Sequence, residues 1–170
     1  LVTGANGYIG QRLCDLLRKN NQSLVGCFRT ASQAEAVPTD SVVIEDITSF
    51  NQWEQIIGEG DVIIHLAARA HVFSKQSNDS NVIDAFRVIN RDATLRLAEA
   101  AVCANVKRFV YVSSIGVLGN STIGCKFDNH SECNPKEPYS ISKMEAEISL
   151  RAISESSNME VVIVRPPLVY

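Results

Sequence analysis

Short apolar runs alternate along the chain with longer amphipathic stretches. Six of the short runs are rich in β-branched and aromatic residues, and several are apolar at consecutive positions, as in strands that helices cover on both faces. These runs predict strands at residues 1–3, 24–28, 42–45, 62–66, 108–112 and 161–164.

The stretches between these runs have the spacing of helices. Apolar residues recur every three or four positions over residues 9–17 and 93–102, and less regularly over residues 140–153. Strands that alternate with such helices are typical of a parallel sheet. The pattern therefore predicts an α/β fold, a doubly wound parallel sheet with helices on both faces. Two polar tracts, residues 74–81 and 120–134, lack periodicity and predict surface loops.

Composition narrows the classes of protein. The chain has 170 residues, of which 45% are hydrophobic and 21% charged, which suits one globular domain. A net charge of -3 gives no general attraction to nucleic acid or to anionic lipid. No apolar run reaches the roughly 18 residues of a membrane span and no secretory leader opens the chain, so we expect a cytoplasmic protein. The five cysteines lack zinc-ligand spacing, so we expect no metal site.

A glycine-rich turn follows the first predicted strand. Glycine permits a tight turn and lets the backbone approach a phosphate closely, and the first amides of the next helix attract an anion without a lysine. No Gly-Lys-Ser/Thr follows, which disfavours a mononucleotide P-loop. The turn is therefore predicted to hold the pyrophosphate of a dinucleotide. The candidate contacts are Gly4, Asn6, Gly7, Tyr8, Ile9 and Gly10.

Tyr139 and Lys143 stand four positions apart in a predicted helix, so their side chains share one face. A nearby ammonium favours the phenolate and lowers the tyrosine pKa from its reference near ~10, which suits proton transfer at neutral pH. A tyrosine and a lysine at this spacing often occur on a helix by chance. Here it follows the glycine turn and two polar or small strand ends, which is where α/β sheets place ligands. We therefore predict that Tyr139 and Lys143 are catalytic.

Four segments together resemble the extended short-chain dehydrogenase/reductases, in particular the NAD-dependent epimerase/dehydratase group. They are the GxxGxxG spacing of residues 4–10, the apolar run 62–68 that ends in two alanines, the serine pair 113–114 and the Tyr-x-x-x-Lys of residues 139–143. The resemblance implies a Rossmann-type NAD(P)-binding domain over residues 1–170. Since both ends of the chain are abrupt, we expect a fragment that lacks the family's smaller C-terminal substrate-binding region.

The resemblance also implies roles for single residues. Ser114 would hold the reacting oxygen, with Ser113 as the fallback. Ala67 and Ala68 would line the ribose and pyrophosphate stretch of the cofactor; the alternative is that they are packing residues. The other implied contacts to the cofactor are Asp46 at the adenine, Asn90 at the nicotinamide half, and Ile47, Leu66, Tyr139, Lys143 and Pro166. Asp46 could instead be a capping residue, and Asn90 a satisfied polar group within a helix.

The residue after the second strand bears on the choice of cofactor. An NAD site usually carries an acidic residue about 20 positions past the glycine turn, to hold the ribose 2'-hydroxyl. Here the strand ends in Cys27, Phe28 and Arg29, and no carboxylate follows. Arg29 could pair with a 2'-phosphate, which favours NADP. NAD stays open, because Arg29 could equally be a solvated surface residue.

Two functions fit these patterns. The first is an enzyme that acts on a nucleotide sugar, such as a UDP-sugar at C4, as a 4-epimerase or a 4-keto-sugar reductase. In it hydride passes between nicotinamide and sugar while Tyr139 moves the proton. The second is a sensor or scaffold that binds the dinucleotide without turnover; the intact Ser114, Tyr139 and Lys143 argue against it. Helices at residues 81–105 and 138–157 could pair into a homodimer, as is common in the family.

Overall fold

The computed structural model describes residues 1–70, 80–122, 124, 126–167 and 169, so the predicted loop at residues 74–81 lies almost entirely outside the described residues. Six strands form one sheet in the order β3-β2-β1-β4-β5-β6, and every neighbouring pair is parallel. The predicted doubly wound α/β fold is confirmed. The strands are β1 (Val2–Thr3), β2 (Val25–Phe28), β3 (Asp40–Val43), β4 (Val62–His65), β5 (Arg108–Val112) and β6 (Glu160–Val164).

Helices connect these strands and cover the sheet. Ile63 and Ile64 are consecutive in β4, so their side chains point to opposite faces. Ile63 belongs to a core cluster with residues of the helices α4 (Thr94–Cys103) and α5 (Pro138–Ser156), whereas Ile64 packs against a cluster that includes residues of α1 (Tyr8–Lys19). Both faces of the sheet are therefore covered. The other α-helices are α2 (Ala31–Glu35) and α3 (Ser80–Arg87).

The order of the strands places a crevice between β1 and β4. From β1 the chain passes through β2 to β3 on one side, and β4 then starts the other half through β5 to β6. Ligands of open α/β sheets bind outside the carboxyl ends of the strands, at the point where the strand order reverses. The segments after β1 and β4 flank this point, so they are the first place to look for a site.

Two local features differ from the sequence-based expectation. The third strand was predicted over residues 42–45, but β3 is Asp40–Val43. It pairs with one neighbour only, so polar residues are tolerated at its start, and Glu45 leaves the strand conformation with φ of 52°. Between α3 and α4 the chain forms a π-helical turn, Val88–Ala93, which apolar periodicity does not predict.

No helix of the described part of the chain is both long and apolar enough to cross a membrane.

Candidate active site

The first glycine of the turn lies where β1 meets β4. Gly4 has φ of 68°, and a Cβ atom added there would lie 2.8 Å from the Ala67 nitrogen and 2.9 Å from the Leu66 carbonyl carbon. A left-handed φ and contact with backbone atoms both exclude a side chain. Glycine at this position therefore lets the segments after the two strands pack against each other.

The N-terminal end of α1 lies at the same place. Its first intrahelical bond runs from the Gln11 amide to the Gly7 carbonyl, 2.9 Å away, so the amides of the preceding turn have no acceptor within the helix. No acidic side chain stands in that turn, and the positive end of the helix dipole is left for an external anion. A Cβ on Gly10 would lie 2.8 Å from the Ala5 Cα, so glycine there allows α1 to pack tightly on the turn.

A cleft of about 700 Å³ opens beside the glycine turn, which is the size of a small-molecule site. It brings together most of the residues that were predicted to contact the adenine and ribose end of a cofactor. Sequence reasoning missed part of its wall, which comes from the end of β2, the residue after β3 and the π-helical turn. The predicted lining residues are Gly4, Asn6, Gly7, Arg29, Asp46, Ile47, Leu66, Ala67 and Ala68; the missed ones include Cys27, Phe28, Ile44 and Ile89.

A second cleft of about 450 Å³ continues from the first, with which it shares the glycine turn and the segment after β4. It extends the cavity to the ends of β5 and β6 and to the start of α5. The predicted catalytic tyrosine and serine thus lie on one continuous cavity with the glycine turn. Its predicted lining residues are Gly4, Gly7, Tyr8, Ile9, Gly10, Leu66, Ala68, Ser114, Tyr139 and Pro166; the others are Ala70, Val112, Ser113, Pro167 and Val169.

A third cleft of about 660 Å³ lies beside α5 and β6 and contains none of the predicted site residues. Arg151, Glu155 and Phe127 are among its lining residues. It does not reach the glycine turn or the crevice between β1 and β4. Cleft volume alone therefore does not identify the site. Its position at the point where the strand order reverses does.

Asp46 and Arg29 stand together on the wall of the larger cleft, and both are exposed. The Asp46 carboxylate accepts a hydrogen bond from the Thr48 amide at 2.8 Å. That bond, with the Thr48 hydroxyl, lowers the pKa of Asp46 below its usual value. Asp46 therefore caps the turn that follows it, as the alternative reading proposed, and also presents a charged carboxylate to the cleft.

Tyr139 lies in the first turn of α5, immediately after Pro138. Its ring meets that of Phe86 edge to face, with 6.1 Å between the centroids. Burial raises the pKa of the phenol above its usual value. In this arrangement the pKa is thus raised and not lowered as the spacing predicted, because desolvation of the phenol dominates.

Lys143 lies behind the cavity wall. Its side chain is fully buried, and its Nζ sits 4.0 Å from the centroid of the Tyr111 ring, a cation–π contact. Burial lowers the pKa of Lys143 to about 7, while the carboxylate of Glu147 opposes that shift. Burial thus makes the neutral amine more accessible near neutral pH than for an exposed lysine, and the predicted contact of Lys143 with a cofactor stays a prediction.

The two serines after β5 differ in their bonding. The Ser114 hydroxyl oxygen accepts a hydrogen bond from the Gly116 amide at 3.1 Å, and so begins the 3-10 turn Ile115–Val117. Among the described residues the Ser114 hydroxyl donates to no acceptor, so its proton is available to a reacting oxygen. The Ser113 hydroxyl is buried with no partner among the described residues, although the residue lines the cleft.

Asn90 lies under the cavity wall rather than on it. Its side-chain amide donates to the Arg69 carbonyl and to the Ser142 hydroxyl, each at 3.0 Å, and accepts from the Arg69 amide at 2.8 Å. The side chain is fully buried and its bonding groups are used. The structure therefore favours the alternative of a satisfied polar group, which here holds the segment after β4 in place.

A chain of buried hydrogen bonds runs from that segment through His65. The Thr3 hydroxyl accepts from the Ala67 amide at 3.2 Å and lies 2.7 Å from His65 Nδ1. On the other side His65 Nε2 lies 2.9 Å from the Thr94 hydroxyl, which itself donates to the Asn90 carbonyl. Since the Thr94 proton is used, Nε2 must donate and Nδ1 must accept. Burial, aided by Lys143, lowers the pKa of His65 to about 3, so the imidazole is neutral.

These features fit a dinucleotide. The glycines let the turn pack closely on the segment after β4 and on α1, the N-terminal end of α1 borders the smaller cleft, and Ser114 and Tyr139 line the same cleft. Arg69 adds a second cationic side chain to the larger cleft. In the described part of the chain no group of three or more His, Cys, Asp or Glu could hold a metal ion.

Comparison with known proteins agrees with this reading. The UDP-glucose 4-epimerase of Vibrio cholerae is 35% identical over all of this chain and 51% of its own length, so the chain spans about half of that relative. A short-chain dehydrogenase/reductase superfamily protein from Agrobacterium tumefaciens, solved with bound NAD, is 27% identical with a TM-score of 0.81 over 96% of this chain and 47% of its own.

MoeE5, solved in complex with UDP-glucose and NAD, is 27% identical with a TM-score of 0.80 over 96% of this chain and 52% of its own. The family described as the NAD dependent epimerase/dehydratase family matches residues 1–170. The resemblance stated from the four sequence segments is therefore confirmed, and this chain belongs to the NAD dependent epimerase/dehydratase family.

Proposed function

We propose that this chain is the cofactor-binding part of an enzyme that moves hydride to and from a carbon of a nucleotide sugar. One observation carries the proposal: Tyr139 and Ser114 lie on the same continuous cavity as the glycine turn. The relatives support the substrate class, since one is a UDP-glucose 4-epimerase and another was solved with UDP-glucose and NAD. A UDP-sugar that reacts at C4 is the simplest substrate consistent with both.

The cofactor proposed is NAD, because both solved relatives that share 27% identity carry it. When bound, the nicotinamide accepts or supplies the hydride. When NAD is bound, the turn at Gly7 and the start of α1 would hold its pyrophosphate, and the cleft near Asp46 would hold its adenine end. Arg29 leaves NADP as an alternative, since a guanidinium at this wall would also pair with a 2'-phosphate.

The chain's own residues would move the proton. As the phenolate, Tyr139 would take the proton of the sugar hydroxyl while hydride leaves the same carbon for the nicotinamide, and the resulting phenol would return that proton when hydride is given back. Ser114 donates its free proton to the same oxygen and so fixes its position. Lys143, when charged, lies one turn from the phenol and stabilises the phenolate at the moment of transfer.

Substitution of Tyr139 by Phe in the complete protein tests the proposal. The ring contact with Phe86 is kept, so the variant should bind NAD as the natural protein does. Loss of acid–base catalysis should lower kcat by about 100-fold or more. Retained turnover with intact NAD binding would refute the role of the phenol.

The same assay separates the two reactions. Steady loss of reduced-cofactor absorbance with a 4-keto sugar indicates a reductase, whereas formation of an isomer without net cofactor change indicates a 4-epimerase. If the natural protein binds NAD tightly but turns over no member of a panel of UDP- and dTDP-sugars, the hypothesis of a non-catalytic sensor or scaffold is preferred to that of an enzyme.

A further inference from the structure

A buried ion pair joins the helix that carries Tyr139 to the segment after the last strand. Glu147 lies on α5, one turn after Lys143, and its side chain is 2% exposed; Arg165 directly follows β6 and is 16% exposed. The guanidinium donates from two nitrogens, and its Nη2 lies 2.6 Å from the carboxylate. Such a two-pronged bond fixes direction as well as charge.

The arginine stands directly before a wall of the cavity. Pro166 and Pro167 line the same cleft as Tyr139. The Pro166 carbonyl accepts a hydrogen bond from the Ile115 amide at 2.9 Å, and Ile115 follows Ser114. The segment after β6 is therefore tied to α5 by Arg165 and to the serine loop by Pro166.

Stability alone gives little reason for this pair. Removing two charges from water costs about as much as their attraction returns, and well-packed apolar residues are often as stabilising. The pair between Arg108 and Glu160 also joins neighbouring elements, but its side chains are 43% and 54% exposed. It lies at the opposite ends of β5 and β6 from the cavity. A buried pair beside the cavity wall restricts how the segment after β6 can move relative to α5, whereas an exposed pair does not impose such a restriction.

Glu147 has a second neighbour in Lys143. Its carboxylate is the charge that opposes the effect of burial on that lysine. One carboxylate thus contacts the arginine that precedes the proline wall and acts on the lysine behind Tyr139.

We propose that Glu147 and Arg165 are positioning residues for the site, which hold the wall of Pro166 and Pro167 at its distance from Tyr139 and keep Lys143 in place behind it. This inference rests on the proposed function. Neither residue touches the cleft as a reacting group; both act through the residues that do.

Glu147→Gln tests the inference, with Glu160→Gln as the matched control. Both changes replace a glutamate of an arginine pair by its neutral isostere, but only Glu147 adjoins the site. For Glu147→Gln we expect a roughly tenfold higher dissociation constant for NAD by calorimetry, and a kcat about 10- to 100-fold lower with the sugar KM within about threefold. Glu160→Gln should change each value by less than about twofold.

Hydrogen exchange gives a readout that does not depend on turnover. The Ile115 amide should exchange about tenfold faster or more in Glu147→Gln, because its acceptor Pro166 is no longer held, while the Ser113 amide, bonded to Val164, serves as the reference. If both glutamine variants match in NAD affinity, Ile115 exchange and kcat, the inference is overturned, even when Glu147→Gln melts at a lower temperature.

A protein that turns over no sugar would refute the proposed function, whereas NAD affinity and Ile115 exchange would still decide the role of the pair. If Glu147→Gln does not fold, Arg165→Lys takes its place, because it keeps the charge but loses the two-pronged bond. Unchanged NAD affinity and Ile115 exchange in Arg165→Lys would then overturn the inference.

Discussion

Acid should weaken the fold through His65. In the native state both ring nitrogens are engaged, and a second ring proton would point at the Thr3 hydroxyl, whose proton already bonds that nitrogen. The pKa of His65 is about 3 in the fold, against a reference near 6.5 in an unfolded chain. Between these values the unfolded chain binds a proton that the native protein does not. His65 therefore stabilises the fold fully above about pH 6.5, and this contribution is lost as the pH falls.

The size of the effect follows from linkage. Each pH unit below about 6.5 costs about 1.4 kcal/mol, so at about pH 5 the loss is about 2 kcal/mol. The imidazole is fully buried, so solvent does not screen this cost. For a chain of this size that corresponds to a fall in melting temperature of about 4–8 °C.

The assay compares thermal unfolding of the natural protein and of His65→Gln at about pH 7.5 and about pH 5. Glutamine does not titrate and still offers a donor and an acceptor. The free energy of unfolding of the variant should therefore fall by about 2 kcal/mol less between these two pH values than that of the natural protein. His130→Gln removes an exposed loop histidine and should keep the natural acid loss. If acidification lowers the free energy of unfolding equally in His65→Gln and in the natural protein, the His65 imidazole is not held neutral by its two hydrogen bonds.

Two further predictions concern the cofactor cleft. Gly10→Ala would bring a Cβ to 2.8 Å from the Ala5 Cα and closer still to the Gly4 carbonyl oxygen, so it should cost about 1–3 kcal/mol by thermal unfolding and weaken NAD binding. Gly58→Ala, which meets nothing within 4 Å, is its control and should be neutral or slightly stabilising; equal behaviour of the two would contradict the close packing of α1. Arg29→Ala should lower NADP affinity about fivefold and leave NAD within about twofold by calorimetry; an equal loss for both would remove Arg29 from the 2'-position.

Much of the fold could be predicted because strand burial and helix periodicity are local properties of the sequence. The glycine turn was predictable for the same reason, since its spacing reports a backbone conformation and not a distant contact. The start of β3 could not be predicted in this way. It is an edge strand and begins with polar residues, Asp40 and Ser41, which lack the apolar pattern of a buried strand. The π-helical turn at Asn90 also lacks a periodic signal, since it depends on tertiary bonds to Arg69 and Ser142.

Charge states were the least predictable part of the site. The spacing of Tyr139 and Lys143 gives their common face, but not how far each is removed from water. Burial raises the pKa of the phenol and lowers that of the lysine, which is opposite to the simple effect of an ammonium on its neighbour. Packing of α5 against β5 and β6 decides this balance, and that packing is not encoded in the spacing of two residues.

A crystal structure of the complete protein with NAD tests the central claim most directly. The account predicts phosphate oxygens within about 3 Å of the amides in the first turn of α1, and the nicotinamide ring beside the Tyr139 hydroxyl. A dinucleotide bound outside the crevice between β1 and β4, or a nicotinamide ring that lies away from Tyr139, would contradict it.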